Sequence, residues 1–265
     1  MRILVKIGGT LLDDARLRGG LASQLAELAR RHRLAVVHGG GKQVTQFLEQ
    51  RGIQSRFVSG LRVSDEAVVD AVTKVIAGGV NKQLVAALLS AGQPAVGLSG
   101  VDGLLTHAAP LDPALGFVGR PVRTDARLLN LLADAGYLPV LACVAADERG
   151  VIYNVNADRM AVSAAIAWRA EQLLFLTDVP GVKDEHGEIA RYLTPAGSAA
   201  LIRSCVAHGG MQAKLEAAAQ ALEAGIEEIA IASGREPGIC ARLVAGEPAG
   251  TRLSPGALSG QGTRA

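Results

Sequence analysis

Lys6 stands in a short apolar segment that ends at two glycines. Arg2–Ile7 has the length of a buried β-strand, and Gly8 and Gly9 follow it at once. A buried ammonium group needs an anionic partner, because removing an isolated charge from water is costly. Consecutive glycines let backbone N–H groups approach a ligand, as a phosphate-binding turn requires. The pattern indicates an anion site at the carboxyl end of a strand; a surface lysine beside an ordinary turn is the alternative.

A second strand ends in the same way. The apolar residues 34–37 are followed by HGGGK, residues 38–42, and then by a helical pattern that Gly52 closes. Three consecutive glycines raise the entropic cost of folding, so we expect this backbone to contact a ligand. An esterase oxyanion loop would require a GxSxG motif, which GLSGV at 97–101 does not complete. A Walker loop would require Ser or Thr after Lys42, and no GxGxxG occurs.

Two further segments combine polar side chains with a helix start. In YNVNAD, Asn154, Asn156 and Asp158 alternate before an Ala-rich helix, where Asp158 complements the helix dipole. A plain helix cap is the alternative; three short polar side chains so close together favour a functional site. HGGMQAK opens another helix and places Lys214 in its first turns, which is favourable only if an anion binds there as well.

Arg62 lies in a predicted β-hairpin, FVSGLRVS at 57–64. Its guanidinium group is suited to bidentate capture of a carboxylate. Taken alone, however, the hairpin pattern favours a surface arginine.

The elements that must position these residues alternate between strands and helices. Helical spacing predicts helices at 16–32, 65–77, 80–91 and 125–135. The remaining predicted strands are 95–98, 104–107 paired with 117–124, 138–144, 172–176, and 228–231, which closes the sheet. The segment 177–182, TDVPGV, predicts a loop at a strand end.

Composition limits the class of protein. The 265 residues are 49% hydrophobic but only 3% aromatic, which is typical of a parallel sheet covered by helices. The net charge is only +2 and no basic run interleaves with aromatic residues, so a nucleic-acid surface is not indicated. Cys143, Cys205 and Cys240 fit reduced core thiols of a cytoplasmic protein. The most apolar stretch, 128–146, is too interrupted to span a bilayer, so we expect no membrane segment.

Ten short segments occur in one order along nearly the whole chain, from residue 2 to about 253. They are VKIGGT, VHGGGK, GLRVSD, VNKQLV, GLSGVDG, GFVGRP, AGYLPV, YNVNAD, LTDVPGV and HGGMQAK. In this order they resemble the amino-acid kinase family, and within it the branch that phosphorylates N-acetyl-L-glutamate. The resemblance implies an α/β fold, an αβα sandwich around a mainly parallel central sheet. It also implies an N-terminal lobe at 1–154 for acyl-amino-acid binding and dimerisation, a C-terminal ATP-binding lobe at 155–254, and a disordered tail at 255–265.

The implied reaction transfers the γ-phosphoryl group of MgATP to the side-chain carboxylate of N-acetyl-L-glutamate. The products would be N-acetyl-L-glutamyl 5-phosphate and ADP, in arginine biosynthesis. Phosphorylation of a carrier-protein-linked glutamate or α-aminoadipate by the same fold is the alternative within the family. An inactive, ligand-sensing module with a kinase fold is an alternative of another class, which the presence of Lys6, Asp158 and Lys214 disfavours.

The resemblance also implies roles for individual residues. The catalytic set would be Lys6 at the acceptor end, Lys214 at the departing ADP, and Asp158 holding both ammonium groups. Substrate and phosphate binding would fall to Gly40, Gly41, Arg62 and Asn154, with Gly8 and Gly9 on the phosphoryl path. The adenine-nucleotide wall would comprise Thr177, Asp178, Val179, Gly181, Val182, Lys183, His208, Gly209, Gly210 and Met211. Mg²⁺ would be held mainly by phosphate oxygens, so no protein metal ligand is assigned.

Hexameric, arginine-inhibited members resemble this chain but carry an extra N-terminal helix. The sequence begins directly at the first predicted strand. We therefore expect an arginine-insensitive homodimer.

Overall fold

The computed structural model describes residues 1–256, and repeated strand–turn–helix units dominate it. The strands are β1 Arg2–Ile7, β2 Arg33–His38, β3 Phe57–Val58, β4 Leu61–Arg62, β5 Ala95–Ser99, β6 Thr106–Pro110, β7 Val118–Thr124, β8 Leu138–Ala142, β9 Val144–Ala146, β10 Ile152–Val155, β11 Gln172–Thr177, β12 Tyr192–Leu193, β13 Glu228–Ser233 and β14 Thr251–Leu253. The helices are α1 Ala15–Ala29, α2 Gly41–Glu49, α3 Glu66–Val72, α4 Asn81–Ser90, α5 Arg127–Asp134, α6 Ala157–Trp168, α7 Pro195–Arg203, α8 Gly209–Glu223 and α9 Ile239–Val244.

The central sheet has eight strands in the order β12-β14-β13-β11-β1-β2-β8-β5. Neighbouring strands are parallel except β13 with β14, so the predicted α/β fold with a mainly parallel sheet is confirmed. Parallel strands present their carboxyl ends at one edge. The glycine turns that follow β1 and β2 therefore lie side by side, and the Gly39 N–H donates to the Ile7 carbonyl across 3.3 Å.

Side chains of β1 alternate between two apolar cores, one on each face of the sheet. Ile3, Val5 and Ile7 pack with residues of α1, α4 and α9, while Leu4 packs with residues of α2, α6 and α8. This arrangement makes the αβα sandwich. Lys6 shares the face of Leu4, so its side chain points towards α6 and not towards solvent.

Four short strands, β6, β7, β9 and β10, close into a small barrel beside the main sheet. The predicted pairing of the segments near 104–107 and 117–124 is confirmed as β6 with β7, with an irregularity between His107 and Ala108. The last strand of this barrel, β10, carries Asn154 and leads directly into α6.

The far end of α6 is fixed by Trp168. This side chain is buried, and its indole N–H donates to Asn130 Oδ1 of α5 across 3.1 Å. The Trp168 carbonyl accepts from Arg2 of β1 across 3.2 Å. These two contacts hold the C-terminal end of α6 against α5 and β1.

Two predicted helices, 65–77 and 80–91, are in fact one continuous helical run. α3 passes into a π-helical segment, Thr73–Val80, and then into α4 without a break at Gly78 and Gly79. Buried Ile76 and Val80 pack beside Gly40, so tertiary contacts hold the helix through residues with low helix propensity.

Two strand predictions are also corrected. The predicted strand 138–144 is divided at Cys143, because β8 belongs to the main sheet and β9 to the small barrel. The predicted strand 228–231, β13, does not close the sheet, since β14 and β12 lie beyond it.

Cys205 is exposed, unlike buried Cys143 and Cys240, because it lies in the turn that ends α7.

One helical run within residues 1–256, Glu66–Ser90, has the length and apolarity of a bilayer-spanning helix. Val72, Ile76, Val80 and Leu84 of this run are buried, and 33% of its apolar window is buried in all. The apolar stretch 128–146 is divided among α5, β8 and β9. Of the predicted disordered tail at 255–265, residues 257–265 lie outside the described part of the chain.

Candidate active site

Lys6, Asp158 and Lys214 meet at the carboxyl edge of the sheet, although they come from three distant segments. Lys6 Nζ lies 2.7 Å from Asp158 Oδ1, and Lys214 Nζ lies 3.3 Å from Asp158 Oδ2. The Lys6 and Asp158 side chains are only 7% and 6% exposed, and that of Lys214 is 14% exposed. One buried carboxylate therefore bridges two ammonium groups.

The charges of this cluster depend on one another. Burial by itself raises the pKa of Asp158, but the neighbouring Lys6 and Lys214 ammonium groups outweigh it, and the pKa lies below its usual 3.8. Burial lowers the pKa of Lys214, and Asp158 only partly opposes this effect. At neutral pH Asp158 is therefore ionised, and it holds the lysines in place.

Asn156 positions Asp158 at the start of α6. The Asn156 side chain accepts from the N–H groups of Asp158 and Arg159, at 2.9 and 3.1 Å, so Asn156 is the helix cap. The alternative in which Asp158 is merely a cap is wrong. Asp158 instead sits in the first helical turn, where its charge complements the helix dipole, and it reaches both lysines.

The two glycine turns are in direct contact. A Cβ placed on Gly9 would lie 3.1 Å from Gly40 N and 3.2 Å from Gly41 N, which is tighter than most contacts of a methyl group. Gln43 Nε2 donates to the Gly9 carbonyl across 3.1 Å. Gly41 is the first residue of α2, so its N–H points out of a helix N-terminus. Gly41 is exposed and Gly9 half-buried, whereas Gly40 is buried beside Ile76 and Val80.

The structure buries Arg62 and leaves it 7% exposed, so the surface arginine favoured by the hairpin alone is wrong. Its guanidinium group donates to the Gly41 carbonyl at 2.8 Å and to Thr45 Oγ1 at 2.7 Å, and it also contacts Ser55 Oγ. Burial lowers the pKa of Arg62. The hairpin of β3 and β4 is thereby attached to the start of α2.

Ser64 connects Arg62 with Asn154. Its hydroxyl group donates to the Arg62 carbonyl across 2.9 Å and accepts from Asn154 Nδ2 across 3.1 Å. Ser64 is completely buried, and sequence reasoning did not assign it to the site. Its place in GLRVSD, two residues after Arg62, is the one signal that marks it.

The two segments expected to contact the nucleotide differ in accessibility. Asp178, Val179 and Lys183 are exposed, as are His208, Gly209 and Gly210, whereas Thr177 is buried and Met211 is half-buried. Gly181 and Val182 are buried as well: a Cβ on Gly181 would lie 2.8 Å from Thr251 Oγ1, and Val182 belongs to the core. These two residues pack inside the loop, and their contact with the nucleotide stays a prediction. Lys214 also donates to the Gly210 carbonyl across 3.3 Å, which joins the second segment to the charged cluster.

A cleft of about 1100 Å³ opens beside the charged cluster. It lies between the hairpin tip at Ser59 and Gly60, strand β7, and helices α6 and α8. Asn156 and Gly209, next to the starts of α6 and α8, are among the residues that line it. The cleft shares with the cluster the starts of α6 and α8, but Lys6, Asp158 and Lys214 do not line it.

Residues 1–233 match the family model described as the amino acid kinase family. The chain belongs to the amino acid kinase family. The resemblance inferred from the ten sequence segments is therefore confirmed.

Two relatives support membership in this family. The chain is 53% identical over 254 residues to the acetylglutamate kinase of Solibacter usitatus, covering 96% of this chain and 99% of that relative. It is 45% identical over 234 residues to the acetylglutamate kinase of Acidobacterium capsulatum, covering 87% of this chain and 90% of that relative.

A solved structure supports the fold. N-acetylglutamate synthase from Neisseria gonorrhoeae, complexed with coenzyme A and N-acetyl-glutamate, superposes with a TM-score of 0.86 at 25% identity. The match covers 97% of this chain, which spans 60% of that protein. This amino acid kinase chain therefore shares its three-layer architecture with the larger protein.

Proposed function

We propose that the protein transfers the γ-phosphoryl group of ATP to the side-chain carboxylate of N-acetyl-L-glutamate. The products are N-acetyl-L-glutamyl 5-phosphate and ADP, and the reaction belongs to arginine biosynthesis. The Lys6–Asp158–Lys214 cluster beside two glycine turns carries the proposal from geometry. The 53% identity to an acetylglutamate kinase supports the substrate, and the relatives do not favour a carrier-linked acceptor or an inactive module.

The proposed reaction needs no general base, because a carboxylate acceptor is already ionised at neutral pH. Catalysis then consists of positioning and of stabilising the phosphoryl charge. Lys6 stabilises that charge at the acceptor end and Lys214 at the departing ADP. Asp158 holds the two ammonium groups apart and fixes their direction, since one carboxylate oxygen faces each of them.

Backbone amides supply the remaining donors in this proposal. The N–H groups around Gly8, Gly9, Gly40 and Gly41 line the path of the phosphoryl oxygens. These amides lie in the turn after β1 and at the start of α2. The fold therefore holds them in place, and they need no reorganisation when negative charge develops.

Arg62 and Asn154 bind the acceptor in this proposal. Three hydrogen bonds of the guanidinium group go to protein atoms, and its other N–H groups are left for the α-carboxylate of the substrate. Asn154 hydrogen-bonds the same substrate and is aligned by Ser64. The shared Ser64 contact fixes the spacing of the two groups.

In this proposal the nucleotide lies against two segments, and its contacts are Thr177, Asp178, Val179, Gly181, Val182 and Lys183 of the first and His208, Gly209, Gly210 and Met211 of the second. Kinase chemistry uses ATP together with a divalent metal ion, and we infer that this ion is Mg²⁺. Within residues 1–256 there is no group of three or more His, Cys, Asp or Glu residues able to hold a metal, and Asp158 is paired with lysines. In this proposal Mg²⁺ would be held mainly by phosphate oxygens and would neutralise phosphate charge.

We further propose two lobes divided near Val155, in a homodimer located in the cytoplasm. The lobes adjoin where β1 pairs with β11. β5 is an edge strand with half-buried residues, and Leu89 at the end of α4 is 56% exposed, so a second copy would cover apolar surface there. Sedimentation at about twice the 27.3-kDa chain mass supports the dimer, and a monomer at micromolar concentration contradicts it.

The test is an assay that traps the acyl phosphate with hydroxylamine, using ATP and N-acetyl-L-glutamate. We expect hydroxamate from the native chain and a loss of at least about 100-fold in Lys6→Ala. Lys74→Ala is the matched control, because the Lys74 side chain is 64% exposed and only contacts Asp70 of the same helical run. Native protein that binds ATP but gives no hydroxamate would exclude N-acetyl-L-glutamate as the acceptor.

A further inference from the structure

His38 is completely buried at the end of β2, directly before the three glycines. Its Nδ1 lies 2.9 Å from the carbonyl oxygen of Gly39. A carbonyl oxygen can only accept, so Nδ1 must carry the imidazole proton. The nearest polar contact of the ring thus goes to the backbone of the glycine turn.

Asn81 fixes the other side of the ring. Its Nδ2 lies 3.0 Å from His38 Nε2 and donates to the Val140 carbonyl across 2.9 Å, while its Oδ1 accepts from Lys82 Nζ across 3.1 Å. These partners allow only one orientation of the amide, with Nδ2 towards the ring. His38 Nε2 is therefore the acceptor, in agreement with a proton on Nδ1.

Strand β5 leaves space for the side chain of Asn81, which contacts His38. A Cβ on Gly97 of β5 would lie 1.9 Å from Asn81 Oδ1, so glycine at this position makes room for the amide. Burial lowers the pKa of His38 to about 4, and the Lys82 charge acts in the same direction. The ring is consequently neutral at neutral pH and keeps one tautomer.

The tautomer has a consequence for the neighbouring peptide. The Gly39 carbonyl and the Gly40 N–H belong to one planar trans peptide, so they point in opposite directions. Holding the carbonyl towards His38 turns the N–H away from the ring. Among residues 1–256 this N–H donates to no protein acceptor, and Gly40 N lies next to Gly9, 3.1 Å from the position of a Cβ on that residue. A peptide between two glycines has wide rotational freedom unless something restrains it.

We propose that His38 is a positioning residue that restrains the Gly39–Gly40 peptide, so that the Gly40 N–H faces the transferred phosphoryl group. Asn81 acts through His38 by holding the ring. The inference rests on the proposed phosphoryl transfer for its chemical purpose. It assigns a role to residues that touch no substrate, and the imidazole proton stays on Nδ1 throughout.

Two substitutions at His38 separate this role from simple packing. In His38→Asn an amide N–H lies near the place of Nδ1, whereas His38→Gln places its amide near Nε2 and removes the donor to Gly39. We expect His38→Gln to lower kcat by about 10- to 100-fold, as for a misplaced oxyanion donor, with KM for ATP changed by less than about threefold. We expect His38→Asn to recover most of that kcat.

The matched control is His32→Gln, because His32 precedes the opposite end of β2 and should leave kcat unchanged. Equal losses of kcat in the two His38 variants, or normal kcat in a folded His38→Gln, would overturn the proposal.

A measurement on the native protein keeps the test independent of how the variants fold. Long-range ¹H–¹⁵N spectra should give His38 a protonated Nδ1 and a bare Nε2 from pH 6 to 8. Addition of AMP-PNP with Mg²⁺ should shift the Gly40 amide signal. A proton on Nε2, or a Gly40 signal that stays fixed while His208–Met211 signals move, rejects the assignment. These spectra need no turnover, so failure to phosphorylate N-acetyl-L-glutamate would overturn the acceptor and leave the His38 result standing.

Discussion

Asp158 carries one negative charge between the ammonium groups of Lys6 and Lys214. The three side chains therefore have a net charge of +1 in a largely buried place. Such a cluster attracts an anion, because the surplus charge is poorly solvated. The Asp158 carboxylate, which lies between the two lysines, also reduces the electrostatic repulsion between their ammonium groups in the folded chain.

Asp158→Asn should destabilise the protein by about 3 kcal/mol, since it leaves two buried ammonium groups without a counter-charge. AMP-PNP with Mg²⁺ should stabilise this variant more than the native chain, because phosphate groups replace the missing charge. Urea unfolding with and without the nucleotide measures both effects. Asp70→Asn, at an exposed pair with Lys74, is the control and should change stability by less than about 0.5 kcal/mol. A nucleotide effect of the same size in Asp158→Asn and native protein would contradict the explanation.

We expect the pH dependence of kcat/KM for ATP to follow the protonation of Lys214. Burial lowers the pKa of Lys214 from 10.5, so its ammonium group loses the proton earlier than a free lysine as pH rises. The neutral amine cannot stabilise ADP, and kcat/KM for ATP should therefore fall on the alkaline side with a midpoint below 10.5. Lys214→Arg should remove this decrease, because a guanidinium group stays charged. A native midpoint at or above 10.5 would exclude the interpretation.

At the scale of elements, the site consists of strand ends and helix starts that meet at one sheet edge. The turn after β1 contacts the turn after β2, and Asp158 at the start of α6 reaches Lys6 of β1. Small displacements of these turns would change which N–H groups are accessible.

Gly9→Ala should lower kcat by about 100-fold, because the added methyl group would cover the Gly40 and Gly41 amides at 3.1 and 3.2 Å. Both contacts are to backbone atoms, which cannot move aside as a flexible side chain could. Gly20→Ala is the control: nothing lies within 4 Å of its Cβ position in α1, so we expect normal kcat and a stability gain of up to about 1 kcal/mol. Steady-state kinetics and thermal unfolding of both variants decide the matter. Normal activity in Gly9→Ala would mean that these amides do not serve the reaction.

The sequence predicted the strand–turn–helix units well, because hydrophobic period and glycine position are local signals. It located Lys6, Asp158 and Lys214 correctly at strand and helix ends, while their mutual contact required the family resemblance. Long-range packing explains the errors. Thr251, 70 positions later in the chain, packs against Gly181, and the π-helical segment packs against Gly40. The end of the predicted strand at 138–144 belongs to the small barrel and not to the main sheet. None of these partners is visible in the local pattern.

At the scale of the molecule, one continuous sheet joins the proposed acceptor lobe and the proposed nucleotide lobe. β1 and β2 come from the first, β11 and β13 from the second, and the lobes adjoin at the β1–β11 pair. The two lysines proposed to act on opposite sides of the phosphoryl group thus come from different proposed lobes, and both contact Asp158.

Hydrogen exchange should separate the two lobes. AMP-PNP with Mg²⁺ should protect amides mainly in 177–183 and 208–214, whereas N-acetyl-L-glutamate should protect mainly the hairpin at 57–62 and the neighbourhood of Asn154. Each ligand would then leave the other lobe nearly unchanged. N-acetyl-L-aspartate, one methylene shorter, serves as the matched control for the acceptor. Protection by each ligand spread evenly over both halves would argue against the division near Val155.

Trp168, which packs at the end of α6 opposite Asp158, is the single tryptophan in the sequence. Fluorescence excited at the red edge of aromatic absorption therefore comes from Trp168 alone, a single buried indole. Its emission should be blue-shifted in the folded chain and should move to longer wavelength when α6 separates from the sheet. The chain thus carries its own optical reporter of the helix that holds Asp158, and no label needs to be added to follow it in real time.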